Sequence, residues 1–408
     1  MRIKRAVPLL GSALTIAVLA TAAAVVNLGF APVTNDLAPG TAAAAPRPVD
    51  DHPQQLGTVL RKARMLLDPS LAAVATGQRI SYVSSNAEGT HIVVTGAILT
   101  PRTQTQSRQD VVAWAHGTEG LADKCAPSRF PALSSDPTFP LYAATVKSLL
   151  DQGWTVAATD YAGLGSPGPH PYLDGPSEGR AIIDSVRAAR QLDRSLSPVW
   201  VAMGHSQGGQ GALFAGEQAG DYGRGLNLRG VVGTAAASNL DQLAEAIVGT
   251  PGQGYLVMAL SGLAAVDPTV HPEQLIAPPA LSRLGILESG CFVEIIGGFA
   301  DFTAEELVVG GALPGHIVAK FAISNPGQRR GNAPILLLHG EADETVPSFV
   351  AEDLLAAYCA RGSVASVQMY PGASHDTVLI DSSADALEWI EGRLDGDTAS
   401  SDCPVTRR

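Results

Sequence analysis

The sequence predicts an α/β fold: a mostly parallel sheet flanked by helices, with a helical cap inserted between two core strands. Three observations carry this. Continuous apolar runs of strand length recur from residue 110 onward, as expected where both faces of a strand are covered. Segments with a helical apolar period separate them, and strand–helix alternation implies parallel neighbours. Between residues 238 and 332 that rhythm stops, and short apolar pieces broken by Pro and Gly replace it. An interval of that length is too long for a plain loop.

In chain order, residues 1–44 read as a signal peptide. Arg2, Lys4 and Arg5 precede a charge-free stretch, and the apolar heart spans roughly residues 6–30. The small residues Thr41, Ala42, Ala43, Ala44 and Ala45 then precede Pro46, so cleavage after Ala44 is expected. The rival is an uncleaved membrane anchor. Residues 45–56 read as a Pro-rich linker, and 53–67 as a short helix. Segments 79–85 and 91–99 alternate around Asn86-Ala87-Glu88-Gly89, a hairpin pattern. Core strands follow at 110–116, 154–160, 199–205, 230–234, 334–339 and 367–370. The helices between them are 141–152, 178–192, 208–218 and 349–360. In the second, Ile182, Ile183, Val186 and Ala189 share one face. The interval 238–332 holds helix-like pieces at 240–248, 255–266 and 284–299. The core is thus expected in two parts, 45–237 and 333–408, around the cap.

The chain has 408 residues, 46% apolar and 16% charged, with a formal net charge of −12. That composition excludes a disordered chain. A surface that acidic also argues against nucleic acid as a partner. Loss of residues 1–44 removes Arg2, Lys4, Arg5 and Asp36, leaving the mature chain more acidic still. The cysteines are Cys125, Cys291, Cys359 and Cys403, without a CxxC pair. An exported chain with an even count suggests two disulfides, and the sequence alone allows three pairings. No zinc spacing, HExxH or P-loop occurs, so no metal or nucleotide cofactor is expected.

The chemistry is expected at the carboxyl ends of the strands. Gly204-His205-Ser206-Gln207-Gly208 follows an apolar strand and opens a Gly/Ala-rich helix. This is G-x-S-x-G in strand–turn–helix context, which presents a serine at the tip of a strained turn. The flanking glycines are needed because strand and helix approach closely there. A serine hydroxyl is a poor nucleophile unless a base holds its proton. The base and its orienting acid should follow in the order acid, then histidine. Asp343 lies on the loop after strand 334–339, and His375 on the loop after strand 367–370. Glu341, Glu344 and Asp376 are rival acids read as solvated loop charges, and His205 and His339 as strand-end packing. An oxyanion needs preorganised N–H donors. One is expected from Gln207, the residue after the nucleophile, and the second from Gly117 or Thr118. His116 stands in the wrong chain order to be the base. Asp160-Tyr161-Ala162-Gly163-Leu164-Gly165 ends another strand and is expected at the site floor, unless it is only a glycine turn.

These segments together resemble the α/β-hydrolase superfamily and, more narrowly, the secretory lipase family of the yeast lipase A type and its bacterial relatives. The resemblance rests on Ala115-His116-Gly117-Thr118 with Cys125-Ala126-Pro127-Ser128, the Asp160–Gly165 segment, and His170-Pro171-Tyr172-Leu173 with Ser177-Glu178-Gly179-Arg180. It also rests on Gly204-His205-Ser206-Gln207-Gly208-Gly209 and the loops of Asp343 and His375. It implies a triad of Ser206, Asp343 and His375, an oxyanion hole lined by Gln207 with Gly117 or Thr118, and disulfides Cys125–Cys291 and Cys359–Cys403. It implies cleavage of acylglycerol or simpler carboxylic esters, with transient contact at lipid–water interfaces and no obligate protein partner. A peptidase or acyltransferase of the same fold is the rival activity, and a secreted binding protein with a dead site the rival from another class.

Overall fold

The computed structural model describes residues 55–103, 109–137 and 139–404. The expected signal peptide and nearly all of the expected linker lie outside the described residues. A nine-stranded sheet has the order β1-β2-β3-β5-β4-β6-β7-β8-β9. The strands are β1 (Val59–Met65), β2 (Ala75–Ser85), β3 (His91–Pro101), β4 (Val111–Ala115), β5 (Thr155–Ala162), β6 (Val199–His205), β7 (Asn227–Thr234), β8 (Ile335–Gly340) and β9 (Ala365–Tyr370). The β1–β2, β2–β3 and β3–β5 pairs are antiparallel, and from β5 through β4 to β9 every pair is parallel.

The strands β4, β5, β6 and β8 are buried along their whole length, which explains their mostly apolar sequences; the polar Thr159 and Asp160 of β5 and the histidines of β6 and β8 sit towards the carboxyl ends. One face packs on α3 (Gly175–Leu192) and α4 (Gln207–Gln218) through Ile182, Val186 and Leu213. The other packs on α2 (Leu141–Asp151) through Val146 and Leu149, and on a C-terminal helix, Ser383–Asp395, through Ile390 and Leu394. From β4 the chain passes to β5 on one side, and β6 lies on the other. Connections diverging from one strand open a crevice at its carboxyl end, where ligand sites of such sheets form.

One expectation requires correction, and two helices were not expected. The segment expected as a helix over 53–67 contains β1, paired antiparallel with β2. Arg61, Lys62 and Arg64 gave it a helical composition, yet it is an exposed edge strand, and charged side chains are what keep such an edge from recruiting other strands. The C-terminal helix and a short helix, α1 (Pro69–Val74), have no counterpart in the sequence reading.

Between β7 and β8 the chain forms eight short helices: α5 (Leu240–Ala246), α6 (Gly254–Val266), α7 (Pro272–Leu275), α8 (Pro278–Leu281), α9 (Ile286–Ser289), α10 (Phe292–Phe299), α11 (Ala304–Leu307) and α12 (Gly315–Phe321). They close an apolar cluster of their own around Leu256, Leu260, Ile295, Phe299, Ile317 and Phe321. Tyr172 from the core joins that cluster. Disulfides link Cys125 to Cys291 and Cys359 to Cys403. The first ties the start of α10 to the segment after β4.

Candidate active site

Ser206 stands between β6 and α4 with φ 56° and ψ −118°. This left-handed backbone costs a non-glycine residue about 1–3 kcal/mol and persists only where surroundings enforce it. Here the serine N–H donates to the Thr234 carbonyl at 3.0 Å, and its own carbonyl accepts from Gln210 and Ala237, each at 3.1 Å. A Cβ on Gly204 would strike the Gly208 carbonyl, and one on Gly208 would strike the Ala115 carbonyl. Gly204 lets β6 meet α4, and Gly208 lets α4 meet the end of β4, closely enough to hold the turn.

Asp343 and His375 come from the loops after β8 and β9. His375 Nδ1 lies 2.7 Å from Asp343 Oδ2. Asp343 Oδ1 accepts from the N–H groups of Thr345 and Val346, each at 2.8 Å. Burial pushes the Asp343 carboxyl up, but bonds from His339 and His375 outweigh it and hold the group well below the usual carboxylate range. An ionised Asp343 only accepts, so His375 Nδ1 carries a proton, and the neutral form of the ring has its lone pair on Nε2. His375 and Ser206 both line one cavity of about 260 Å³, together with Thr118 and Tyr142 from the core and Tyr255 and Phe292 from α6 and α10. Asp376 lines the same cavity and is exposed, as are Glu341 and Glu344 on their loop.

His205 donates from Nε2 to the His375 carbonyl at 2.8 Å. Burial pushes its ring down to about 3, so it is neutral and Nδ1 accepts from the Tyr142 hydroxyl at 3.2 Å. It thus fixes the loop that carries His375. His339 Nε2 lies 2.8 Å from the Val346 carbonyl and 3.3 Å from Asp343 Oδ2. The residue read as packing therefore also touches the acid.

Gly117 abuts the nucleophile: a Cβ there would sit 3.4 Å from Ser206 Cβ and strike the Tyr142 hydroxyl. Its N–H already donates to that hydroxyl at 2.9 Å. Among the described residues no hydrogen bond engages the N–H of Thr118 or of Gln207, the first residue of α4. His116 is buried, and burial pushes its ring down to about 4. Its Nδ1 contacts the Gly117 carbonyl at 2.6 Å, and it is not among the residues lining the cavity with Ser206. Asp160 binds Ser128 and Thr95 rather than the cavity, while the Tyr161 hydroxyl donates to the His116 carbonyl at 2.8 Å. The sequence reading missed Tyr142 and Glu119, both lining the cavity. Tyr142 lies within a helical pattern that marks it only as core. Among the described residues one grouping has metal-ligand spacing, His205, His375 and Asp376, with ligand atoms within 4.8 Å of one another. Both His205 nitrogens are already engaged, which leaves fewer ligands than a zinc site uses.

The profile of the secretory lipase family matches residues 138–402. A secreted triacylglycerol lipase of Malassezia globosa is 26% identical over 372 residues, covering 86% of this chain and 80% of that protein. Lipase A of Moesziomyces aphidis is 24% identical over 415 residues, covering 94% and 87%. Among solved structures, Candida antarctica lipase A in its closed state superposes with a TM-score of 0.74 at 19% identity, covering 86% of this chain and 84% of that one. A rice cell wall degrading esterase from Xanthomonas oryzae gives 0.69 at 20% identity, covering 83% and 100%. The fold is that of the α/β-hydrolases, and the chain belongs to the secretory lipase family.

Proposed function

We propose that the protein is an exported serine hydrolase that cleaves carboxylic esters of acylglycerol type through an acyl-enzyme. Ser206 Oγ adds to the ester carbonyl carbon as its proton passes to His375 Nε2. The alcohol leaves with that proton. Water then attacks the acyl-enzyme, giving its proton to His375, and the acid departs as Ser206 is regenerated. Asp343 holds the imidazole tautomer and stabilises the positive ring. The oxyanion is met by the N–H groups of Gln207 and Thr118. Gly117, whose N–H is already spent on Tyr142, makes room. The observation that carries the reading is the 2.7 Å contact of Asp343 with His375, which itself lines the cavity shared with the strained Ser206.

Residues 1–44 act as the export signal, and 238–332 as a cap whose Tyr255 and Phe292 wall the acyl site. Relatives named as secreted lipases support export. Among the described residues no helix is long and apolar enough to cross a membrane. The test is an ester chain-length series with emulsified triacylglycerol, on wild type and Ser206→Ala. Turnover by wild type and loss of at least 10³-fold in the variant are expected. Equal turnover by both would refute the assignment. A product mixture dominated by transfer to added alcohol would make it an acyltransferase.

A further inference from the structure

The connection from β5 to α3, residues 163–174, has no part in the proton transfer, yet with the ends of its two flanking elements it touches every segment that could donate to the oxyanion. On one side, the Tyr161 hydroxyl donates to the His116 carbonyl at 2.8 Å, fixing the backbone just before Gly117. Tyr161 holds φ 67°, and its N–H is bonded to Thr159 Oγ1 at 3.0 Å. The hydroxyls of Tyr172 and Thr118 lie 2.7 Å apart.

On the other side, His170 donates from Nδ1 to the Ala162 carbonyl at 2.7 Å, which leaves Nε2 of the neutral ring as an acceptor. Gln207 Nε2 lies 3.3 Å from that nitrogen and 2.8 Å from Glu178 Oε1. Its two N–H groups are thereby both used, and the amide has one orientation. Glu178 Oε1 also accepts from the Leu173 N–H at 3.2 Å. Glu178 and His170 are buried, and the rings of Tyr161 and His170 stack at 6.3 Å. Glu178 Oε2 is buried and has no hydrogen-bond partner among the described residues. An unpaired carboxyl oxygen so placed costs free energy, and its retention calls for an explanation.

We infer that Tyr172 and Glu178 are positioning residues of the oxyanion hole: Tyr172 aims the Thr118 N–H, and Glu178, through the Gln207 side chain, aims the Gln207 N–H. The inference rests on the Ser206 reading above. Gln207 opens α4 beside the strained Ser206, and Thr118 lies in the connection after β4. Charge stabilisation needs an N–H placed to a fraction of an ångström. A frame reaching both segments from one connection supplies that precision. Burial pushes the Glu178 carboxyl up to about 8, so at neutral pH it is protonated and Oε1 serves as a single acceptor. A glutamine there would offer the same acceptor.

The test compares Tyr172→Phe, Glu178→Leu and Glu178→Gln in the full chain. The readouts are kcat and KM on a short-chain ester, Ki for an alkyl trifluoromethyl ketone, and the melting temperature. Such a ketone adds Ser206 Oγ to form a hemiketal oxyanion, so its Ki reports the donors directly. Tyr172→Phe and Glu178→Leu are expected to lower kcat about 10- to 100-fold with KM within about threefold, since sub-ångström misplacement costs rates of this order. Ki should rise in proportion, and Glu178→Gln should stay within about threefold of wild type. Unchanged kcat, or a fall in kcat without a rise in Ki, would overturn the inference. If Glu178→Leu does not fold, Tyr172→Phe, which deletes one hydroxyl, decides alone. Failure of the underlying reading is visible separately, as ester turnover by Ser206→Ala.

Discussion

Asp343 and His375 stand 32 residues apart in sequence and 2.7 Å apart in space, and the proton between them belongs to the histidine. Asparagine at 343 could instead donate, forcing Nδ1 to accept and moving the ring proton to Nε2, where no base remains. Asp343→Asn is expected to lower kcat about 10³- to 10⁴-fold while KM changes little. Steady-state kinetics with active-site titration checks this, and a loss below tenfold would remove Asp343 from its role.

Glu119 responds to pH in the opposite sense from Asp343. Burial pushes its carboxyl up to about 7, against hydrogen bonds from Ser135 that pull it down. The folded state then holds the proton more tightly than the unfolded chain. Its contribution to stability is complete below the ordinary value of 4.5 and is lost as pH rises towards 7. Glu178 acts in the same sense up to about 8. Glu119→Gln should therefore flatten, without abolishing, the decline of melting temperature between pH 4.5 and 7, since Glu178, Asp174 and other buried carboxyls are raised in the same way. Identical slopes for variant and wild type would count against this.

Gly204 and Gly208 face backbone atoms that cannot yield. Gly204→Ala or Gly208→Ala is expected to cost more than about 3 kcal/mol, because overpacking forces β6 from α4 in the first and α4 from the end of β4 in the second. The measurement is soluble yield and denaturant midpoint; a stable, fully active Gly208→Ala protein would contradict it.

Tyr142→Phe removes the hydroxyl that accepts from Gly117 and donates to His205. A buried N–H is then unpaired, at about 1–3 kcal/mol. The melting temperature should fall by several degrees and kcat by less than in Asp343→Asn. A variant as stable as wild type would show that water or a neighbour replaces the hydroxyl.

Cys359–Cys403 closes a separation of 44 residues, worth up to about 4 kcal/mol by chain entropy. It fastens the terminal segment over edge strand β9, where the Asp402 N–H donates to the Ala365 carbonyl at 2.9 Å. Cys359→Ser with Cys403→Ser should lower thermal stability with little change in kcat, read from calorimetry and turnover together.

The central strands were legible because burial on both faces leaves mostly apolar residues, a pattern that survives without context. The Ser206 turn was legible because its glycines answer a steric demand that few other structures make. The edge strand β1 was not, since its Arg and Lys side chains satisfy solvent on either reading and only pairing with β2 decides. Tyr142 and Glu119 were not, because a cavity wall is assembled from distant segments and carries no local period. Gly117 and Thr118 were equivalent candidates in the sequence, and only the Tyr142 bond distinguishes them.

The bridge at Cys291 falls in the middle of the long excursion between β7 and β8 and pins it beside Glu119, whose carbonyl also accepts from the Phe292 N–H at 2.9 Å. The excursion is therefore two spans with a shared rivet, not one door hung from its ends. Each span is thereby held at both ends, by a sheet strand on one side and by the Cys125–Cys291 bridge on the other.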